Sequence, residues 1–193
     1  MCNEYRSHVD ADAIREEFSQ IKIRIKFPEG APNLEPRDSI RITDSGAIVR
    51  QGGDPQSAEL VQRRWSWPGP SKKPVFNFRS EGRAFKAGRC LIIADGFYEF
   101  TAKPGAKGKH KWRFARADEP WFCIAGLWRA VEGIGEAFTM LTTAPGPDIK
   151  PYHDRQIVVL ARDDWARWLD LNVSAKEVLK PAPAGALSVE QVA

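Results

Sequence analysis

The stretch Arg89-Cys-Leu-Ile-Ile-Ala-Asp95-Gly96-Phe-Tyr-Glu99-Phe100 decides the fold. Residues 90–94 are apolar without interruption, as in a strand buried on both faces. Asp95-Gly96 breaks the run, and Phe97-Tyr-Glu-Phe100 resumes it in extended form. Two buried strands in immediate succession put a sheet at the centre of the molecule. Downstream, 112–115, 121–128 and 137–143 read as three further strands of a meander, and the lysine-rich 101–111, with Gly105 and Gly108, as a flexible hairpin tip. Upstream, 39–43 and 47–50 flank Asp44-Ser-Gly46 as a hairpin, and a further strand ends near Trp65. Ile21, Ile23, Ile25 and Phe27 alternate with basic residues, the pattern of a strand with one wet face. Residues 28–36, 51–57 and 66–73 are broken by proline and glycine and read as loops.

Helices are few and short. Asp10 or Asp12 can cap one that buries Ile14, Phe18 and Ile21; Ser80 can cap a brief one through Lys86; residues 162–170 bury Trp165, Trp168 and Leu169; and Ser174-x-x-Glu177 is a capping box for the last. The expected class is α+β, with a mostly antiparallel, barrel-like β-sheet core. With 193 residues and no dividing linker, one domain spanning 1–193 is expected, with 181–193 a wrapping or flexible tail.

The net charge of +4 is unevenly spread. Between Val61 and Cys90 eight basic residues face one acid, and six more follow between Thr101 and Arg116 with none. Such a field suits a polyanion, and Trp65 and Trp67 beside it could stack on nucleic-acid bases. A solvated surface balanced elsewhere in space is the bland alternative. The three cysteines, Cys2, Cys90 and Cys123, have neither disulfide-framework nor zinc-ligand spacing, so no metal and no cofactor is expected. No apolar run approaches the roughly 20 residues of a membrane span, and no secretory signal pattern opens the chain, so a cytoplasmic location is expected.

Four positions carry candidate chemistry. A cysteine at position 2 becomes N-terminal once Met1 is lost, and then offers an amine and a thiol on adjacent carbons. An aldehyde meeting that pair forms an imine that the sulfur can close into a thiazolidine. Glu99 sits among aromatics, where a partly desolvated carboxyl has a raised pKa suited to proton transfer near neutrality; the alternative is a side chain pointing to solvent. His153, in His153-Asp-Arg155 after a proline-rich loop, could exchange protons or serve a structural network. Asn77, between Phe76 and Phe78, could orient a ligand or simply sit exposed in a strand.

In order and approximate spacing, Met1-Cys2, Asn77-Phe-Arg-Ser-Glu81, Asp95-Gly-Phe-Tyr-Glu99, Ala125-Gly-Leu-Trp128 and His153-Asp-Arg155 resemble the SOS response-associated peptidase family, SRAP, over roughly residues 1 to 165. The resemblance implies a sensor of abasic sites in single-stranded DNA that forms a covalent, shielding crosslink through the N-terminal cysteine, a lyase-like Schiff-base chemistry, with self-cleavage of Met1. It implies catalytic roles for Cys2, Asn77, Glu99 and His153, and a phosphate contact for Arg79. Trp65, Trp67 and Pro36 are then expected against flanking bases. Asn3-Glu4 departs from the frequent Gly-Arg after Met-Cys and puts an acid where a basic DNA contact is common, for which Arg6 could substitute; Phe78, Phe100 and Gln156 are further departures. The expected partner is single-stranded DNA containing abasic sites, with replication-fork proteins as a further class, acting on a monomer associated with the nucleoid. Two other classes stay open: a cysteine peptidase acting on proteins, and a non-covalent single-stranded nucleic-acid-binding module.

Overall fold

The structure, a computed structural model, describes residues 2–193; Met1, the first half of the Met1-Cys2 pair, lies outside the described residues. Among the described residues, sixteen strands and three helices follow one another. The N-terminal part holds β1 (Glu4–Ser7), α1 (Ala11–Gln20), β2 (Arg24–Lys26), β3 (Arg37–Arg41), β4 (Ser45–Gln51), β5 (Ser57–Trp65), β6 (Trp67–Pro68), β7 (Pro74–Val75) and β8 (Asn77–Arg79). The central strands are β9 (Arg89–Ala94), β10 (Gly96–Ala102), β11 (Lys109–Arg116), β12 (Phe122–Val131) and β13 (Gly135–Thr143). Then come β14 (Gln156–Ile157), β15 (Val159–Leu160), α2 (Asp163–Leu169), α3 (Ala175–Val178) and β16 (Leu187–Gln191).

Strands β13, β12, β9, β4 and β5 are hydrogen-bonded in that order, and β13 also pairs with β5, which closes the five into a ring. Four of the junctions are antiparallel and the closing one is parallel, through Ala137↔Arg64 and Phe138↔Trp65. The fold is therefore mostly antiparallel and barrel-like, as expected. Side chains alternate along these strands, so successive residues feed two different cores. Val49, Leu60, Leu91, Ile93, Ala125 and Leu141 join Ile14 and Phe18 of α1 and Trp165 and Trp168 of α2. Their neighbours Ile48, Val61, Ile92, Ile124 and Met140 join Tyr5, Phe97 and Phe114 of the second sheet. The continuous apolar run 90–94 follows directly: every residue of β9 is buried on one side or the other.

Asp10 caps α1, its carboxylate accepting from the Ala13 N–H at 2.7 Å. Two other expectations fail. Residues 80–86 form a turn at 81–82 followed by irregular chain rather than a helix, and the Ala84 and Phe85 carbonyls are taken by Arg89. Ser174 precedes only a four-residue helix and makes no side-chain cap bond. The alternating strand expected over 21–27 shrinks to β2, since the Ile21, Lys22 and Ile23 amides are consumed by the turn that ends α1.

Arg89 is 3 % exposed and has no carboxylate partner among its hydrogen bonds; its guanidinium donates to the carbonyls of Ala84, Phe85, Trp168, Asp170 and Val173 and lies 4.6 Å from the Trp168 ring. One cation thus ties the 80–88 segment to the end of α2. Arg89→Ala leaves several of those carbonyls buried without a donor and is expected to lower the unfolding free energy by about 3 kcal/mol, read from denaturant midpoints.

The second sheet runs β16-β11-β10-β1-β3. The stretch 181–193 supplies β16, which pairs antiparallel along β11 from Trp112↔Gln191 to Arg116↔Leu187. No helix among the described residues is long and apolar enough to cross a membrane.

Candidate active site

The second sheet brings the start of the chain to Glu99. β1 lies between β10 and β3 with Tyr5 opposite Phe97, and continuing that antiparallel register past Glu4 runs Asn3 and Cys2 alongside Glu99 and Phe100. Cys2 is fully buried, an unusual place for a residue so near a terminus. Each of its polar groups is met. The backbone N–H donates to the Glu99 carboxyl, the carbonyl accepts from Asn77 Nδ2 at 2.7 Å, and the thiol donates to the Glu4 carbonyl at 3.3 Å.

The two titratable partners are both pushed upward. Burial, reinforced by the neighbouring Glu99 charge, drives the Cys2 thiol far above its usual range, with backbone N–H groups opposing weakly. Burial likewise raises the Glu99 carboxyl to about 7, against the opposing hydrogen bond from Cys2. Glu99 is 1 % exposed, so the solvent-facing alternative for this residue does not hold.

Asn77 arrives from the other sheet. β8 adds in parallel to β13, with Asn77 beside Met140, and aims the amide at the Cys2 carbonyl. Its Oδ1 is buried and accepts no hydrogen bond among the described residues. Arg79, two residues on, is exposed on the same strand edge.

His153 closes the loop between β13 and β14. Its ring is three-quarters buried, and burial lowers its pKa, with Asp154 pulling the other way. Two neighbours compete for Nδ1: the Arg155 N–H at 2.9 Å offers a hydrogen, and the Asp154 carboxylate at 2.8 Å requires one. Asp154 is largely in solvent and able to turn away, whereas the Arg155 amide is fixed. In the neutral ring the amide therefore prevails and the proton resides on Nε2.

The Arg155 side chain is held by both Glu81 oxygens, at 2.5 and 3.0 Å, and by Thr142 Oγ1 at 3.0 Å. This ties the His153 loop to the chain just after β8. Sequence reading placed Arg155 and Glu81 only inside motifs; their pairing spans 74 positions and no local pattern announces it.

Other expected contacts are placed differently. Trp65 is fully buried, its Nε1 bonded to the Phe76 carbonyl at 2.9 Å and its ring packed edge-on against Tyr5, which leaves no face for a base. Trp67 is 6 % exposed beneath the Arg129 guanidinium, 4.4 Å from the ring centroid. Both are packing residues. Arg6 is engaged by Asp95 at 3.3 Å and Asp38 at 3.8 Å, so it does not substitute as an unengaged phosphate contact. Glu4 in turn presents no bare acid. It is buried and paired with Lys111 at 2.7 Å; burial alone would raise its pKa, but the Lys111 and Ser39 bonds hold it below the usual carboxylate range. Pro36 stays exposed ahead of β3. Among the described residues no group of three or more His, Cys, Asp or Glu side chains could hold a metal ion.

The sequence profile of the family described as SOS response associated peptidase (SRAP) matches residues 1–193. The abasic site processing protein YoaM of Bacillus subtilis is 28% identical over 198 residues, covering 93% of this chain and 84% of that protein. The abasic site processing protein HMCES of Gallus gallus is 27% identical over 190 residues, covering 77% of this chain and 56% of that protein, so the match spans little more than half of HMCES. Among solved structures, a protein from Bordetella bronchiseptica superimposes over 100% of both chains with a TM-score of 0.76 and 26% identity. One from Bacteroides thetaiotaomicron, at 15% identity and a TM-score of 0.77, covers 100% of this chain and 92% of its own and shares the fold.

Proposed function

The chain belongs to the SOS response associated peptidase family, and from that premise we propose that it recognises abasic sites in single-stranded DNA and bonds to them through both the nitrogen and the sulfur of Cys2. The observation that carries this reading is the hydrogen bond from the Cys2 backbone nitrogen to a buried carboxyl titrating at about 7. Removal of Met1 turns that nitrogen into a primary amine with a base already beside it.

An α-amine has a pKa of about 7.7 to 8.0, so near pH 7 only about a tenth of it is neutral. Ionised Glu99 takes its proton, and the amine attacks C1′ of the ring-opened sugar to give a carbinolamine. Glu99, now protonated, gives that proton to the departing hydroxyl, whose oxygen the Nε2–H of His153 holds by a hydrogen bond; water leaves, Glu99 takes up the proton remaining on nitrogen, and a neutral imine remains. Asn77 Oδ1, buried and available, accepts from a sugar hydroxyl and orients it. The Cys2 sulfur then bonds to the imine carbon while the thiol hydrogen ends on nitrogen. The product is a thiazolidine, and the sum of the steps is the loss of one water. With its pKa held so high, the thiol stays protonated and unreactive until an electrophilic carbon is placed against it. Arg79 serves a phosphate on the exposed strand edge, and Pro36 is left to meet a base. Complete burial of Cys2 also disfavours attack on bulky protein substrates, as a general peptidase requires.

The test is a denaturing gel after incubation with single strands that carry an abasic site, a tetrahydrofuran analogue without an aldehyde, or no lesion. A heat-stable shifted band with the first alone is expected; equal bands on all three, or none on any, contradict the proposal. Because the base must be ionised, the rate of band formation should rise with pH through a midpoint near 7, and a rate that falls over that range removes Glu99 as the base.

A further inference from the structure

The C-terminal stretch is tied on one side to the loop that carries His153 and on the other to the strand paired with the one bearing Glu99. Asp148, five residues before His153, accepts from the Gly185 N–H through Oδ1 and from the Leu187 N–H through Oδ2, both at 3.0 Å. Two residues earlier, a side chain at Gly146 would lie 2.2 Å from the Ala182 carbonyl oxygen, so only glycine lets the two segments touch. The Gly146 N–H is also bound by Gln156 Oε1 at 2.7 Å, at the far end of the same loop. Ile149 is fully buried in one core with Ala182 and Leu187, and its carbonyl receives the His153 N–H at 3.0 Å. On the other side, β16 pairs with β11 so that Gln191 faces Trp112 and Val189 faces Phe114. Trp112 is the cross-strand partner of Glu99, and Tyr152, adjacent to His153, lodges its ring 4.8 Å from Trp112 and 5.2 Å from Phe114.

We propose that residues 182–191 are a strap that fixes the His153 loop against the strands carrying Glu99, with Asp148 as its anchor and a positioning residue for the reaction. The inference rests on the roles given above to His153 and Glu99. Without the strap the loop retains the Glu81–Arg155 tie at its exit and, at its entry, its own turn, the Gly146–Gln156 bond, the buried Ile149 and the Tyr152 ring, but loses both bonds to Asp148.

Two variants probe it by different physics. Asp148→Asn keeps the shape but turns an amide donor toward one of the two tail N–H groups. Gly146→Ala drives a methyl into the Ala182 carbonyl. In both, far-UV circular dichroism and affinity for the aldehyde-free tetrahydrofuran strand should match the parent, while the single-turnover rate of adduct formation falls roughly ten- to a hundredfold. The imidazole titration of His153, followed by NMR, reads the position of the loop directly. Among the described residues, charge reaches the ring from Asp154, whose carboxylate lies 2.8 Å from Nδ1 and also acts on the Glu99 carboxyl, and the adjacent Arg155 side chain is neutralised by Glu81. Burial lowers the His153 pKa, so a loosened loop hydrates the ring and moves the titration up toward 6.5. A parental rate with an unmoved titration in both variants overturns the proposal. If the parent itself forms no adduct, the proposed function fails, and the His153 titration still judges the strap.

Discussion

Glu99→Gln is expected to slow adduct formation by roughly two to four orders of magnitude, the usual worth of a positioned proton-transfer group, and at the same time to make the protein more stable above neutral pH. Both effects come from one cause. The carboxyl is taken out of water to stand beside the nitrogen of Cys2, and burial raises it from 4.5 to about 7. In the unfolded chain it ionises near 4.5, so between there and about 7 the unfolded state sheds a proton that the folded state retains. Stability therefore falls as pH rises across that window and levels off above it. At about 1.4 kcal/mol per unit, the loss amounts to roughly 3–4 kcal/mol. Glutamine carries no such charge, and its oxygen can still accept from the Cys2 N–H. Denaturant midpoints at pH 5 and pH 8 should thus converge in the variant and differ in the parent. Equal pH dependence in the two proteins, or a parental crosslinking rate in the variant, would remove Glu99 from the base role.

Cys2→Ala should do something different in kind. The small residue still permits loss of Met1, and the α-amine still stands next to Glu99, so an imine can form. No sulfur is then available to close the ring. An imine at C1′ acidifies the hydrogen on C2′, and departure of the phosphate at C3′ breaks the strand. The heat-stable band should disappear and a shortened DNA product accumulate in its place, on the same denaturing gel. A stable adduct in this variant would mean that the sulfur is not part of the bond.

Much of this arrangement is legible in the sequence because it is local. The uninterrupted run 90–94 and Phe97-Tyr-Glu-Phe100 specify two buried strands, and Asp10 before an apolar i, i+4 pair specifies a capped helix. Glu99 stands out for the same reason, as a lone carboxylate in an aromatic strand. What was not legible depends on distant partners. A tryptophan in a basic stretch reads equally as a stacking platform or as core; Trp65 became core because the parallel β13–β5 pairing that closes the barrel passes through it. The turn and irregular chain at 80–86 are held by Arg89, whose carbonyl partners in α2 and beyond lie about 80 positions away. Glu4, an acid in a position that suggested a clash with DNA, is silenced by Lys111, 107 residues further on. The second residue of the chain is buried for a similarly non-local reason: β10 and β8 come from different sheets and meet around it.

Digesting the crosslinked protein with trypsin and nuclease, then weighing the N-terminal peptide, tests the central claim most directly. The account predicts the peptide Cys2-Asn-Glu-Tyr-Arg6 joined to one deoxyribose remnant with the loss of one water, its amine and thiol both unreactive toward alkylating reagents. A peptide that still begins with Met1, or one whose cysteine alkylates while the sugar is attached, would contradict it.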